Sequence, residues 1–173
     1  LIHRDVKPSN VIIGRQQLAK LGDFGVAALA QTDAGDERLT MTRAAVGTPY
    51  YMAPEQARGR DGVDARSDVF AVGATIRALL TGRALHAYAT LPELLVAAAT
   101  RPVEPLSTIV PDAPAQLAAV IDRAVAFGRE DRWGSAAQMR EAIEAALIAI
   151  PAERRGVLLD LAVDHTPAET QAT

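Results

Sequence analysis

The first ten residues, LIHRDVKPSN, set an imidazole, a guanidinium, a carboxylate, an ammonium and a carboxamide among the apolar Leu1, Ile2, Val6, Val11, Ile12 and Ile13. Unpaired charge is costly to bury, so a fold that accepts this stretch must pair these groups or use them. The short apolar runs Val11–Ile13 and Leu18–Leu21, separated by GRQQ, predict a β-hairpin. Such a hairpin would display Asn10 and Asp23 near each other. Taken singly, Asp5 suits a turn or a helix cap and Asn10 a turn, so the cluster alone leaves its purpose open.

From Val26 to Gly47 the chain is polar and Thr-rich with weak periodicity, a length of loop that is uncommon unless functional or disordered. Helices follow. In SDVFAVGATIRALLTG, Val69, Val72, Gly73, Ile76 and Leu80 keep helical spacing, apolar residues run almost all round, and Gly82 is the expected stop. A buried helix is predicted. LPELLVAAAT is a shorter candidate with Pro92 in its first turn. PAQLAAVIDRAVAFG is expected to start at Pro114 and to be capped by Gly128. Ser135 and Gln138 have capping-box spacing, followed by a face of Met139, Ala142, Ile143, Ala146, Leu147 and Ile150. Pro151 should end that helix, and residues 151–173 read as a weakly ordered tail. Trp133 reads as a packing residue, and His86 and His165 have no partner at metal-ligand spacing.

The balance of 18 basic and 21 acidic residues, scattered and summing to −3, gives no electrostatic case for a nucleic-acid partner. Without cysteine the chain has no disulfide or thiolate metal site, which fits a reducing compartment. No apolar run reaches the ~18 residues of a membrane span.

Three ordered motifs then stand out: His3-Arg4-Asp5 with Asn10 five residues after the aspartate, Asp23-Phe24-Gly25, and Ala53-Pro54-Glu55. Together they resemble the eukaryotic-type protein kinases. Lys7, two residues after Asp5, is the form typical of the serine/threonine kinases, and GTPYYMAPEQARG and DARSDVFAVG look most like the bacterial members. The resemblance runs from Leu1 to about Ile150. It implies a mainly α fold, the C-terminal lobe of the kinase domain with one small hairpin, over residues 1–150.

The resemblance also assigns roles. Asp5 would orient the attacking hydroxyl, Lys7 would reach the transferred phosphoryl group, and Asn10 and Asp23 would hold Mg2+ (or Mn2+) on ATP. Phe24 and Gly25 would set where Asp23 points, and His3 would pack beneath the site. Asp68 would bond the catalytic-loop backbone, and Glu55 and Arg132 would form a buried pair. Thr48 would bond Asp5 and Lys7 and shape substrate acceptance. Thr40 and Thr42 are similar to autophosphorylated threonines, whose phosphate would pair with Arg4 and order the loop. Ala28 departs from the family, which often has a basic residue there, so one cationic contact to that phosphate would be missing.

Neither a glycine-rich loop nor its strand lysine occurs in the sequence, and the chain starts at Leu1. It reads as a fragment beginning at the catalytic loop, with the N-terminal lobe absent, apolar surface uncovered and negligible activity alone. The expected function is that of a non-specific serine/threonine protein kinase acting on protein substrates with ATP in the cytoplasm. The full protein could carry a membrane anchor, and its kinase domains could dimerise for autophosphorylation in trans. The alternative is a truncated lobe serving as a docking or scaffold module.

Overall fold

The computed structural model of the chain describes residues 2–15, 18–22, 49–59, 62–86, 88 and 90–151. Its one sheet among these is the hairpin β1 (Val11–Ile13) and β2 (Ala19–Leu21), antiparallel with Val11 opposite Leu21 and Ile13 opposite Ala19. The second strand starts one residue later than the apolar run suggests. Leu18 instead closes the turn, its carbonyl accepting the Gly14 N–H at 3.0 Å, while its side chain stays exposed with those of Ile12 and Ile13.

The rest is helical: α1 (Pro54–Ala57), α2 (Ala65–Thr81), α3 (Leu91–Thr100), α4 (Leu106–Ile109), α5 (Ala115–Ala124) and α6 (Ala136–Ala149), with 3-10 turns at Pro8–Asn10, Pro49–Tyr51 and Arg129–Asp131. Among the described residues no helix is long and apolar enough to cross a membrane.

Helix α2 is the axis of the fold. Asp64 caps its start, accepting the Arg66 N–H at 2.8 Å, and Gly82 stops it in the left-handed region at φ 63°. The Arg66 guanidinium also bonds Asp64, and that contact holds the carboxyl below its usual pKa range. One side of α2 packs Val69 against Val120, Ala124, Met139 and Ala146, and another packs Phe70 and Ala74 against Ala53 and Val125. Ile76 and Leu80 meet a third cluster, built on Leu106, Leu117, Ile121 and Ile150. Burial on several sides explains why its sequence is apolar almost all round.

The close approach of α2 to α5 depends on Gly73. A Cβ there would lie 2.7 Å from the Ala124 Cβ and 3.0 Å from a Val125 methyl. Overpacking costs about 1–3 kcal/mol, more than the ~1 kcal/mol that alanine gains over glycine in helix propensity. Gly73→Ala is therefore expected to lower the melting temperature, by up to roughly 8 °C. An unchanged or raised melting temperature would mean that α5 can move away.

Four helix details differ from the sequence reading. Pro114 is the N-cap of α5 and not its first residue. That helix ends at Ala124, and Gly128 instead precedes the 3-10 turn at Arg129. Just beyond that end the Arg132 side chain bonds the Ala126 and Phe127 carbonyls. On α6, Leu147 is largely exposed, because it stands about 80° from Met139 around the helix, at the edge of the apolar stripe. Ser135 accepts the Gln138 N–H at 3.2 Å, but Gln138 answers the Gly134 N–H and not that of Ser135. Ile150 is extended ahead of Pro151, as the steric demand of a following proline requires. Trp133 packs at the edge of the first cluster, donates to the Val120 carbonyl and lies under the Arg123 guanidinium.

Candidate active site

The loop from His3 to Asn10 enters the fold at Val6, which is 5% exposed, and returns through the Pro8–Asn10 turn, where the Asn10 N–H reaches the Lys7 carbonyl at 3.0 Å. Proline at the start of that turn costs nothing, since its missing N–H would have no partner there. The turn brings three predicted residues together. Asp5 Oδ2 meets Lys7 Nζ at 2.9 Å and accepts from Asn10 Nδ2 at 3.2 Å. Asn10 Nδ2 also donates to the Asp5 carbonyl at 2.8 Å. Both neighbours of that nitrogen are acceptors, so the carboxamide is oriented with its oxygen turned to the other side. The second oxygen of Asp5, Oδ1, is buried and has no hydrogen-bond partner among the described residues.

The backbone just before Asp5 is strained and clamped. Arg4 is the one non-glycine residue with positive φ among those described, at 67°. Such a conformation costs on the order of 1–3 kcal/mol and persists only where neighbours over-determine it. Asp68, in the first turn of α2, supplies two of those contacts: its carboxylate accepts the His3 N–H and the Arg4 N–H, each at 2.8 Å. His3 is buried; its Nδ1 accepts the Asp5 N–H at 3.4 Å, and its Nε2 then donates to the Gly22 carbonyl at 2.9 Å. These partners select the Nε2–H tautomer. Gly22 also donates its N–H to the Asn10 carbonyl at 2.8 Å, so the end of β2 is tied to the loop at two points.

Glu55 on α1 and Arg132 meet although 77 residues separate them. The guanidinium has no exposed surface, and its five N–H groups all have acceptors: both Glu55 oxygens at 2.8 and 2.9 Å and the carbonyls of Arg66, Ala126 and Phe127. Ser67 Oγ donates to Glu55 Oε1 at 2.6 Å, and the Phe70 ring lies against the guanidinium. Burial alone would raise the pKa of Glu55. Hydrogen bonds from Arg132, Ser67 and its own backbone, with the Arg132 charge, outweigh that and hold it below the ordinary value.

Asp23, Phe24, Gly25, Ala28, Thr40, Thr42 and Thr48, with the loop that holds them, lie outside the described residues. His86 is half-buried; burial, and then the Arg101 charge, push its pKa down. Two cavities, of about 570 and 350 Å³, are lined from the end of α2 onward and from α3, and neither includes a predicted site residue.

Gln56 and Ser67 were not legible as functional residues. Gln56 follows Glu55 directly, but nothing in its spacing announces that it contacts both Ala53 and Arg4.

Residues 1–143 match the family model described as protein kinase domain. The chain is 43% identical over 153 residues to the serine/threonine-protein kinase Pkn1 of Myxococcus xanthus, covering 85% of this chain and 21% of that protein. It is 36% identical over 184 residues to the serine/threonine-protein kinase PknB of Mycolicibacterium smegmatis, covering 99% and 28%. A crystal structure of the PknI kinase domain of Mycobacterium tuberculosis superposes with a TM-score of 0.58 at 29% identity, over 85% of this chain and 46% of that one. The chain thus spans about a fifth to just over a quarter of the two relatives' length.

Proposed function

The chain belongs to the protein kinase family, with bacterial serine/threonine kinases among its relatives, and from that premise we propose that it supplies the catalytic loop of an enzyme transferring the γ-phosphate of ATP to serine or threonine hydroxyls of proteins. The observation that carries the reading is the asymmetry of Asp5. One oxygen is held by Lys7 and Asn10, while the other is buried with no partner among the described residues. A carboxylate oxygen kept in that state is suited to accept a proton from, and so orient, an incoming hydroxyl.

In this reading the substrate hydroxyl donates to Asp5 Oδ1 and its oxygen attacks the γ-phosphorus. The proton passes to Asp5 as the bond to ADP breaks. Lys7 lies beside the carboxylate, where its ammonium can offset charge developing on the phosphoryl oxygens. Asn10 Oδ1 and the carboxylate of Asp23 are the proposed ligands of Mg2+. Magnesium usually takes one or two carboxylates and completes its shell with phosphates and water. The described residues contain no group of three or more metal-ligating side chains, and a site of this kind needs none. Once bound, the cation neutralises phosphate charge and favours departure of the leaving oxygen. Gly22, the residue before Asp23, is bonded to Asn10 and His3, so the reading asks the chain to go only one residue further to bring that carboxylate in.

We extend the proposal to autophosphorylation at Thr40 or Thr42, with the exposed Arg4 as the partner of the new phosphate. The test is to incubate the full-length gene product with Mg2+ and γ-labelled ATP. Label is expected in phosphoserine and phosphothreonine and absent after EDTA treatment. Transfer confined to tyrosine would overturn the assigned class, and absence of transfer would favour a docking module.

A further inference from the structure

We infer that Gln56 is a positioning residue for the catalytic loop, tying the end of the activation segment to the strained backbone ahead of Asp5. The inference rests on the reading of Asp5 as the phosphoryl-transfer carboxylate. One side chain makes both contacts. Gln56 Oε1 accepts the Ala53 N–H at 3.2 Å, and Gln56 Nε2 donates to the Arg4 carbonyl at 3.0 Å. The amide dipole is fixed in this sense, because one neighbour only donates and the other only accepts.

The receiving end is the residue least able to hold itself. Arg4 sits at φ 67°, and both of its backbone polar groups are engaged: the N–H by Asp68 and the C=O by Gln56. Asp68 fixes the loop to α2, whereas Gln56 fixes it to α1, which begins at Pro54 directly after Ala53. The peptide that Gln56 holds is the one joining Arg4 to Asp5. Loss of that bond would let this peptide rotate, and rotation would turn the Asp5 carboxylate away from the hydroxyl it orients. The same contact makes the placement of Asp5 depend on whether Ala53, at the end of the segment carrying Thr40, Thr42 and Thr48, is seated.

Gln56→Glu separates the two contacts. A carboxylate still accepts from Ala53 but cannot donate to Arg4, and it meets that carbonyl with like partial charge. In the full-length gene product this variant should melt within about 2 °C of wild type. Its kcat should fall about tenfold or more, with KM for ATP changed less than about twofold, because misplacement of a reacting group is felt in the chemical step. Amide hydrogen exchange across Arg4–Lys7 should quicken about tenfold. Unchanged kcat together with unchanged exchange would overturn the inference. So would a loss of kcat accompanied by a large fall in melting temperature, which would make Gln56 merely structural. Failure of the premise looks different: wild-type protein without transfer activity would remove the role of Asp5, and with it the catalytic role of Gln56.

Discussion

Replacing Arg132 with alanine is expected to lower the melting temperature by roughly 6–20 °C, whereas Arg129→Ala should lower it by no more than ~4 °C. The two arginines stand three residues apart and differ in everything else. The Arg132 side chain is wholly buried and donates all five N–H groups, so its removal strips those partners from the mostly buried Glu55 carboxylate and from three carbonyls. Breaking a buried pair in this one-sided way costs about 3–5 kcal/mol. Arg129 is 39% exposed, bonds the Gly62 carbonyl at 2.6 Å and stands 3.9 Å from Asp64, a surface arrangement worth ~1 kcal/mol at most. Arg132→Lys should be nearly as damaging as alanine, since an ammonium has three donors and no planar fork. Thermal melts of the three variants read the comparison directly, and equal losses at positions 129 and 132 would remove the network from its structural role.

The same pair gives a pH dependence. Glu55 titrates lower in the folded chain than its ordinary value near 4.5, so its contribution is complete above that pH and is lost as pH falls through the folded value. The stability gap between wild type and Arg132→Ala should therefore be widest near neutrality and narrow as the pH falls below the ordinary value and through the lower folded one.

Much of the fold was readable because its signals are local. The hairpin follows from two short apolar runs about a turn, α2 from a 3.6-residue period stopped by a glycine, and the end of α6 from Pro151. What escaped was decided by distant groups. The carbonyls beyond α5 are taken by the side chain of Arg132, six and five residues further on, and Leu147 is exposed because it stands at the edge of the stripe. The site divides in the same way. Asp5, Lys7 and Asn10 lie within one turn, so spacing alone brings them together. Glu55 with Arg132, and Asp68 with the backbone of His3 and Arg4, could be paired in advance only through the family resemblance. Gln56 lies inside a stretch that resembles the bacterial kinases, but no role was assigned to it, since a glutamine beside a motif residue is ordinary until its two partners are seen.

The proposed transfer requires Asp5 to receive a hydroxyl proton, and Asp5→Asn tests this with little disturbance to its surroundings. An asparagine oxygen can still accept from Lys7 and Asn10, while its NH2 group replaces the free acceptor at Oδ1 with a donor. The decisive measurement is the single-turnover rate of phosphoryl transfer from Mg2+–ATP by full-length protein, wild type against Asp5→Asn, with the melting temperature of each recorded beside it. The rate should fall by ~10²–10⁴-fold with the melting temperature nearly unchanged. A variant that transfers phosphate as fast as wild type would contradict the assignment.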